Sequence, residues 1–317
     1  MEHTIDRLTG AAGPVFVTLA IILLSIGIVC FFEVIQPSIR WPLVTTPIDV
    51  LIAFNLIAQY YFVCTVKPGF VDEPAQVSGE GFFWAKKFHI TRAHVTRCKR
   101  CGQLRPERAH HCRLSLKWIN QCVGIYNERY FVLFMVYLVL STFCFSILGY
   151  EKMWEAIGFS DNWPHWTPEI LFTLIYILSV VLCFAVGIMC LWHLHSISIG
   201  ETSVEGHDHS MYRKVAESRG ETFINCFDLG KLENLQLFFS IGPGGYPYWT
   251  LLFPFRVIPY TDGRSWARRP GYEYHKGEVH CIPSNLVAPL SSGYINNSYT
   301  LNCKIYSENT YFLKPAC

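Results

Sequence analysis

The sequence has little charge for its length, and the shortage is concentrated in a few long stretches. Charged residues make up 16% of the 317 residues, whereas an ordinary globular domain has roughly 25%. A soluble protein of this size would need more charge on its surface, so the composition argues against an ordinary soluble fold. The formal net charge is only +2, which gives no reason to expect a nucleic acid as a partner.

The uncharged stretches have the length of membrane-spanning helices. Stretches without Asp, Glu, Lys or Arg cover residues 14–32, 131–149 and 170–192. Each meets the requirement of about 20 apolar residues for a helix that crosses a bilayer. A fourth apolar stretch, 47–66, contains Asp49, Asn55 and Gln59. We therefore predict an all-α integral membrane protein with four transmembrane helices.

The three polar residues of the second helix should face the interior of the helix bundle, because polar groups are costly in lipid. They could serve a function there, or they could hydrogen-bond neighbouring helices and fix the packing. A transporter or channel with a polar path is a further alternative. However, the sequence has no inverted repeat and no pair of interrupted helices of the kind that such folds show.

Basic residues predict the orientation and the division of the chain. The loop 67–129 is rich in Lys and Arg, whereas the loop 151–168 holds only Lys152 and the short loop after the first helix only Arg40. The positive-inside rule then places the long loop and both termini in the cytoplasm. The predicted segments are 1–66 with helices 1 and 2, 67–129 as a cytoplasmic Cys-rich domain, 130–195 with helices 3 and 4, and 196–317 as a cytoplasmic tail.

The tail changes character along its length. Residues 242–260 are rich in aromatic side chains but are interrupted by four prolines, so we expect them to lie on the membrane surface. Beyond about residue 269 the sequence is polar and aperiodic, and this composition predicts disorder.

Cysteine and histidine residues of the long loop have the spacing of a zinc site. Cys98-x-x-Cys101 is followed within about fifteen residues by His111-Cys112, and Cys122 comes later. A reducing cytoplasm argues against disulfides and favours a metal-binding or catalytic role for these thiols. A tight turn would let the first two thiolates reach one ion.

The loop resembles the Cys-rich domain of the DHHC-type protein S-palmitoyltransferases. The matching residues include Arg105-Pro106-x-Arg108, Trp118-x-Asn120-x-Cys122 and Asn127. Other segments are similar to family motifs too, and they contain Pro68-Gly69 after helix 2, Thr202-Ser203-x-Glu205 after helix 4, and Asn225 in the tail. The resemblance covers about residues 15–241.

The resemblance implies a function and a set of ligands. It implies transfer of palmitate from palmitoyl-CoA to cytoplasmic cysteines of target proteins, by a zinc-binding membrane protein of the endoplasmic reticulum or Golgi. The family attacks the thioester with a cysteine thiolate, since a thiol is a poor nucleophile at neutral pH. A neighbouring His acts as general base and an Asp orients it, which is the logic of a catalytic triad.

This sequence departs from the family at the catalytic tetrad. The family places two further cysteines and Asp-His-His-Cys before the Trp-x-Asn-x-Cys stretch, but here only residues 113–117 separate Cys112 from Trp118. Ala109-His110-His111-Cys112 is not the tetrad, because Arg105-Pro106-x-Arg108 precedes it and no Pro-Trp follows. We therefore identify no catalytic residue and predict that the chain as written is inactive. A zinc-stabilised membrane scaffold is the alternative function.

We predict one zinc ion per chain, bound by Cys98, Cys101, His111 and either Cys122 or Cys112. The family's two zinc sites lose ligands with the missing stretch, and the five remaining residues suffice for one tetrahedral site. Metal analysis of the purified protein should therefore give close to one zinc per polypeptide. Protein that carries no zinc would contradict the prediction.

Overall fold

The computed structural model describes residues 2–69, 88–98, 102, 104–110, 118–158, 163–271 and 280–283. The chain forms two compact units, and each combines segments that lie apart in the sequence. The helical unit consists of Met1–Trp84, Leu114–His195 and Leu235–Asp262. The loop unit consists of Ala85–Arg113, Ser196–Asn234 and Gly263–Cys317. The sequence predicts consecutive segments instead, because composition carries no information about which distant segments associate.

Four helices in the described part of the chain are long and apolar enough to cross a membrane, and they confirm the four predicted spans. Their bounds are Gly13–Ser38, Pro42–Thr65, Glu128–Leu148 and Glu169–Ser198. The first span contains the end of α1 (Glu2–Cys30), a π-helical turn (Phe31–Ile35) and a 3₁₀ turn (Gln36–Ser38). The other three spans are α2, α3 and α5, and the short α4 (Tyr150–Ile157) follows α3.

The core of the helical unit lies at two levels. At one level Phe31, Val34 and Ile35 of the π turn pack with Phe145 of α3 and Phe172 of α5. At the other level Tyr60 and Val63 of α2 pack with Tyr130 of α3 and with Ile119. Many other large apolar side chains of the spans remain exposed, as expected for helices that contact lipid.

The polar residues of α2 face the interior as the sequence predicts. Asn55 and Gln59 are fully buried, and Asp49 is half-buried. The Asn55 amide donates hydrogen bonds to the carbonyl oxygens of Leu51 and Leu252, at 2.9 and 2.7 Å. Asn55 thus fixes packing between α2 and a distant segment, whereas the side chain of Gln59 has no hydrogen-bond partner among the described residues.

A carboxylate in the π turn of the first span holds the loop before α5. Glu33 accepts a hydrogen bond from the Thr167 hydroxyl at 2.6 Å and another from the Trp166 backbone N–H at 3.1 Å. The His165 Nδ1 atom lies 3.3 Å from the same carboxylate. π-helical turns are rare and frequently have a specific role. Here the turn contains the only acidic residue of the first span.

The strands of the described part form antiparallel pairs, and all of them belong to the loop unit. β1 (His89–Arg92) pairs with β5 (Ser265–Arg268), and β2 (Val95–Arg97) pairs with β3 (Leu104–Pro106). β4 (Glu221–Ile224) pairs with β6 (His280–Pro283). β6 lies in the tail for which composition predicts disorder beyond about residue 269. Pairing with β4 supplies hydrogen bonds that a composition-based argument does not consider. Two further helices, α6 (Glu205–Ser218) and α7 (Lys231–Phe239), precede β5.

Replacing Glu33 by alanine should destabilise the helical unit by about 1–3 kcal/mol, because the buried Thr167 hydroxyl and the Trp166 N–H lose their acceptor. Thermal unfolding of the full chain in detergent measures the effect. Glu155→Ala is the matched control, since its ion pair with Lys152 is more exposed and should contribute less than about 1 kcal/mol. Equal effects of the two substitutions would show that Glu33 does not hold the loop.

Candidate functional site

The motif residues identified in the sequence fall into two groups, one in each unit. The helical unit contains Pro68, Gly69, Trp118, Asn120 and Asn127. The loop unit contains Arg105, Pro106, Arg108, Thr202, Ser203, Glu205 and Asn225. Within each unit the structure brings residues from distant parts of the sequence into direct contact.

Pro68 and Gly69, just after α2, pack against the loop that leads into α3. The Tyr126 backbone N–H donates to the Pro68 carbonyl oxygen at 3.5 Å. Gly69 has a φ of +89°, and a Cβ atom there would lie 2.6 Å from the Tyr126 ring. Only glycine fits this position without strain, because both the backbone angle and the close ring exclude a side chain.

Asn127 fixes the loop between Cys122 and α3. Its side chain is fully buried and accepts a hydrogen bond from the Gly124 N–H at 2.7 Å. Its amide donates to the carbonyl oxygens of Cys122 and Val66, at 3.0 and 3.2 Å. One side chain therefore joins the end of α2 to the turn that starts α3. Gln121 adds a bond to the same Val66 carbonyl at 2.9 Å.

Trp118 and Asn120 begin this loop and are held mainly through close contacts. The Trp118 ring is exposed, but its carbonyl oxygen accepts a 2.6 Å hydrogen bond from the Tyr60 hydroxyl. Asn120 has a left-handed φ of 55°, which asparagine tolerates better than most residues. Its side chain lies against Gly13, where a Cβ atom would overlap the amide oxygen.

Cys98 lies at the end of β2 and begins the connection to β3. The Gly102 N–H donates to the Cys98 carbonyl oxygen at 2.9 Å. Across the hairpin, the Arg105 side chain donates to the Thr96 hydroxyl at 3.2 Å. Cys101 lies outside the described residues, so the tight turn between the first two zinc ligands stays a prediction.

Arg108 is the centre of the loop unit. Its guanidinium binds the Glu205 carboxylate through Nε and Nη2, at 3.0 and 2.9 Å, and Nη2 also donates to the Gly200 carbonyl oxygen at 2.8 Å. The two side chains are only 11% and 13% exposed. A bidentate pair of this kind is both strong and directional. It joins the Cys-rich loop to the chain that follows α5.

Glu205 also shapes the start of α6. The Thr202 N–H donates to the Glu205 carboxylate at 2.8 Å, and the Glu205 N–H donates to the Thr202 hydroxyl at 3.2 Å. These reciprocal bonds form a capping box, which satisfies donors at the helix N-terminus. Ser203 lies between them in an exposed turn. The Thr-Ser-x-Glu motif therefore serves both as a helix cap and as the acceptor for Arg108.

Asn225 and Phe227 belong to the tail motif, and Phe227 lies next to Arg108. The Asn225 amide donates to the Ile199 carbonyl oxygen at 3.0 Å, and its side-chain oxygen accepts the Phe227 N–H at 3.0 Å. The Phe227 ring then lies 4.4 Å from the Arg108 guanidinium, within the range of a cation–π contact. Three of the motifs thus meet at one arginine.

Arg268 is a residue of this site that the sequence did not identify. It is 2% exposed and donates to Glu107 at 2.6 Å and to the Thr91 hydroxyl at 2.7 Å. The Arg268 guanidinium also lies 4.9 Å from the centre of the Phe227 ring. No local pattern surrounds Arg268 in the polar tail, so only the pairing of β5 with β1 shows its importance.

The pKa of the Glu205 carboxyl depends on its burial and on the charge of Arg108. Burial alone would raise the pKa of the Glu205 carboxyl, but the charge of Arg108 and the hydrogen bonds from Arg108 and Thr202 outweigh burial. The pKa of Glu205 therefore lies below its ordinary value, and the group is ionised at neutral pH. The Glu201 carboxyl is lowered in pKa as well, since burial is outweighed by His209 and Arg213.

The predicted zinc ligands are only partly within the described residues. Cys98 and Cys122 are half-buried and belong to different units. Cys101, His111 and Cys112 lie outside the described residues. Within the described part, no three Cys, His, Asp or Glu side chains lie together as a metal site. The zinc site therefore stays a prediction.

Comparison with known proteins connects this arrangement to a family. Residues 91–210 match the family model of the DHHC palmitoyltransferases. The chain is 28% identical over 312 residues to palmitoyltransferase ZDHHC16 of Mus musculus, covering 88% of this chain and 80% of the relative. The Homo sapiens ZDHHC16 is 26% identical, with 88% and 81% coverage. A probable protein S-acyltransferase 16 of Arabidopsis thaliana is 29% identical, covering 46% of this chain and 54% of that protein.

Glu205→Gln should destabilise the loop unit by about 1–3 kcal/mol at neutral pH, because Arg108 loses its charged partner. Glutamine can still complete the capping box, so the substitution isolates the ion pair. Since the folded pKa of Glu205 is below its unfolded value of about 4.3, the pair stabilises the fold above that pH. This stabilisation is lost as the pH falls through the folded pKa.

Hydrogen exchange of peptides from α6 and β5 at several pH values measures this effect. The wild-type protein should lose protection towards acid pH more steeply than Glu205→Gln. Asp208→Asn, an exposed acidic position on the same helix, is the control and should leave the pH dependence unchanged. Identical profiles for Glu205→Gln and the wild type would contradict the assignment.

Proposed function

Because the chain belongs to the DHHC palmitoyltransferase family, we propose that it has the scaffold of an enzyme that transfers palmitate from palmitoyl-CoA to protein cysteines. The observation that carries the proposal is the family match over residues 91–210, which contains the Cys-rich loop, two spans and the Arg108–Glu205 pair. The relatives that match most of the chain are named palmitoyltransferases.

We further propose that this 317-residue form cannot carry out the transfer. The reaction needs a thiolate that attacks the thioester carbonyl and leaves coenzyme A as the thiol, and then passes the acyl group to a second cysteine. The residues between Cys112 and Trp118 are Arg, Leu, Ser, Leu and Lys, so this stretch supplies neither a thiol nor a base. The intact flanks on both sides indicate a form that has lost an internal segment of an active enzyme.

Zinc would have a structural role in this proposal. Cys98, next to the end of β2, provides the type of ligand that zinc sites use, and further thiol and imidazole ligands follow in the sequence. When bound, the ion would tie the hairpin of β2 and β3 to the segment around residue 112. The metal would not take part in the transfer chemistry.

The protein should act at an endomembrane with both termini in the cytoplasm. The four apolar helices make it a multi-pass membrane protein, and basic residues concentrate in the loop 67–129. Substrate cysteines would then approach from the cytoplasm, where thiols are kept reduced.

Restoring the missing segment should restore the chemistry. The purified chain, incubated with labelled palmitoyl-CoA, should form no hydroxylamine-labile acyl adduct. A version with an Asp-His-His-Cys-containing segment inserted between Cys112 and Trp118 should form the adduct and transfer the acyl group to a cysteine peptide. The same insertion with serine in place of its cysteine is the matched control, and it should stay unlabelled.

Two results would oppose the proposal. An acyl adduct on the unmodified chain that transfers to the peptide would show that another cysteine serves as nucleophile. A correctly folded, zinc-loaded insertion variant without any adduct would favour a non-catalytic scaffold. The genomic sequence between the codons of Cys112 and Trp118 gives an independent check, because an in-frame coding segment there would indicate an altered exon boundary.

A further inference from the structure

The aromatic segment after α7 is bound to the transmembrane helices through its backbone. We call residues 246–258 the inset segment. The Asn55 amide donates to the Leu252 carbonyl oxygen at 2.7 Å, and the Tyr137 hydroxyl donates to the Leu251 carbonyl oxygen at 2.7 Å. Asn55 belongs to α2 and Tyr137 to α3, so two neighbouring spans hold adjacent residues of the segment.

Two further residues of the inset segment are bound by side chains from the first turn of α3. The buried Arg129 side chain, at the start of α3, donates to the Thr250 carbonyl oxygen at 3.0 Å. The Tyr130 hydroxyl accepts the Val257 N–H at 2.9 Å. The long side chains of Arg129 and Tyr130 thus hold the segment on both sides of Leu251 and Leu252.

These contacts define a depth. Asn55 lies ten residues from the end of α2 at Thr65, and Tyr137 lies nine residues from the start of α3 at Glu128. At 1.5 Å per residue these positions are about 14–15 Å from the helix ends that flank the Cys-rich loop. The hydrocarbon core of a bilayer is about 30 Å thick, so the Asn55 and Tyr137 backbones come close to its middle, and Leu252, which the short Asn55 side chain binds, lies well inside the leaflet.

The backbone of the inset segment is suited to such a position. Irregular backbone is tolerated in the hydrocarbon region only where its polar groups are satisfied by protein. Thr250, Leu252 and Phe253 donate to carbonyl oxygens within the segment. Pro247 and Pro254 have no N–H that would need an acceptor. The carbonyl groups at the tip are taken by Asn55 and Tyr137.

Many of the large side chains of the inset segment are apolar and exposed. Six large ones are between 44% and 55% exposed: Tyr248, Trp249, Leu252, Phe253, Phe255 and Ile258. The helices that hold the segment also have exposed apolar side chains, among them Phe54 of α2 and Phe143 of α3. The surface is too apolar to face water.

We infer that residues 246–258 form a re-entrant element that enters the leaflet on the side of the Cys-rich loop and packs Trp249, Leu252 and Phe253 against lipid acyl chains. This differs from the surface position that the prolines and aromatic residues suggest by themselves. Arg256 is exposed and directly precedes the return to Tyr130, where its guanidinium can reach the headgroups. The deep part of the element is thus limited to about residues 249–254.

Tryptophan placed at the tip tests the depth. Leu252→Trp, in full-length protein reconstituted in nanodiscs, should be quenched by lipids brominated at carbons 11 and 12. The bromines should quench the fluorescence of the added tryptophan at least half as strongly as they quench Phe184→Trp. Phe184 is an exposed position near the middle of α5. Leu104→Trp, on the exposed hairpin strand β3, should respond to aqueous iodide instead.

The anchor is tested by a pair of substitutions in the same helix. Asn55→Leu in the Leu252→Trp background should reduce quenching by the deep bromines at least twofold, because the tip loses its donor. Gln59→Leu removes a buried amide that has no partner among the described residues, and it should leave the quenching unchanged. Iodide quenching of Leu252→Trp as strong as that of Leu104→Trp would overturn the inference. So would unchanged deep quenching in Asn55→Leu, since the depth would then not depend on this contact.

Discussion

The ion pair between Arg108 and Glu205 determines how the loop unit is assembled. The two residues are separated by two transmembrane helices in the sequence, yet their side chains form a bidentate contact with little exposure to water. Burying both charges is costly, and the cost is offset only because each charge has several partners. Arg108 also contacts Gly200 and the Phe227 ring, and Glu205 also caps α6. Removing either charge would leave the other buried and uncompensated.

In the helical unit, neutral polar side chains rather than ion pairs join distant segments of the chain. Its buried polar side chains mostly bind backbone carbonyl groups of loops rather than other side chains. Asn127 holds the end of α2, Tyr60 holds the carbonyl of Trp118, and Asn55 and Tyr137 hold the inset segment. Each bond satisfies a backbone carbonyl outside the regular hydrogen bonding of the helices. Gln59 and Ser240 are exceptions among the described residues, because no polar atom of either side chain has a hydrogen-bond partner.

Much of the architecture could be predicted because it depends on properties that are local in the sequence. The four spans follow from long runs without charge, and the motif residues follow from fixed spacings around Arg105-Pro106-x-Arg108 and Thr202-Ser203-x-Glu205. The roles of Arg268 and Glu107 could not be predicted, since their partners are far away and neither lies in a periodic pattern. The contacts of the inset segment could not be predicted either, because proline and aromatic content does not show which side chains bind its carbonyl groups.

The pairing of β5 with β1 has a practical consequence for work on the C-terminal tail. A chain ended before residue 265 would lose the strand that contains Arg268, and Glu107 would remain as a buried acid beside the Cys-rich hairpin. A series of deletions would then damage the Cys-rich hairpin, and the loss of function would be wrongly attributed to a separate functional element in the tail. Fusion tags are better attached at the far C-terminus than at an internal boundary near residue 262, since the last strands belong to the same body as residues 88–110.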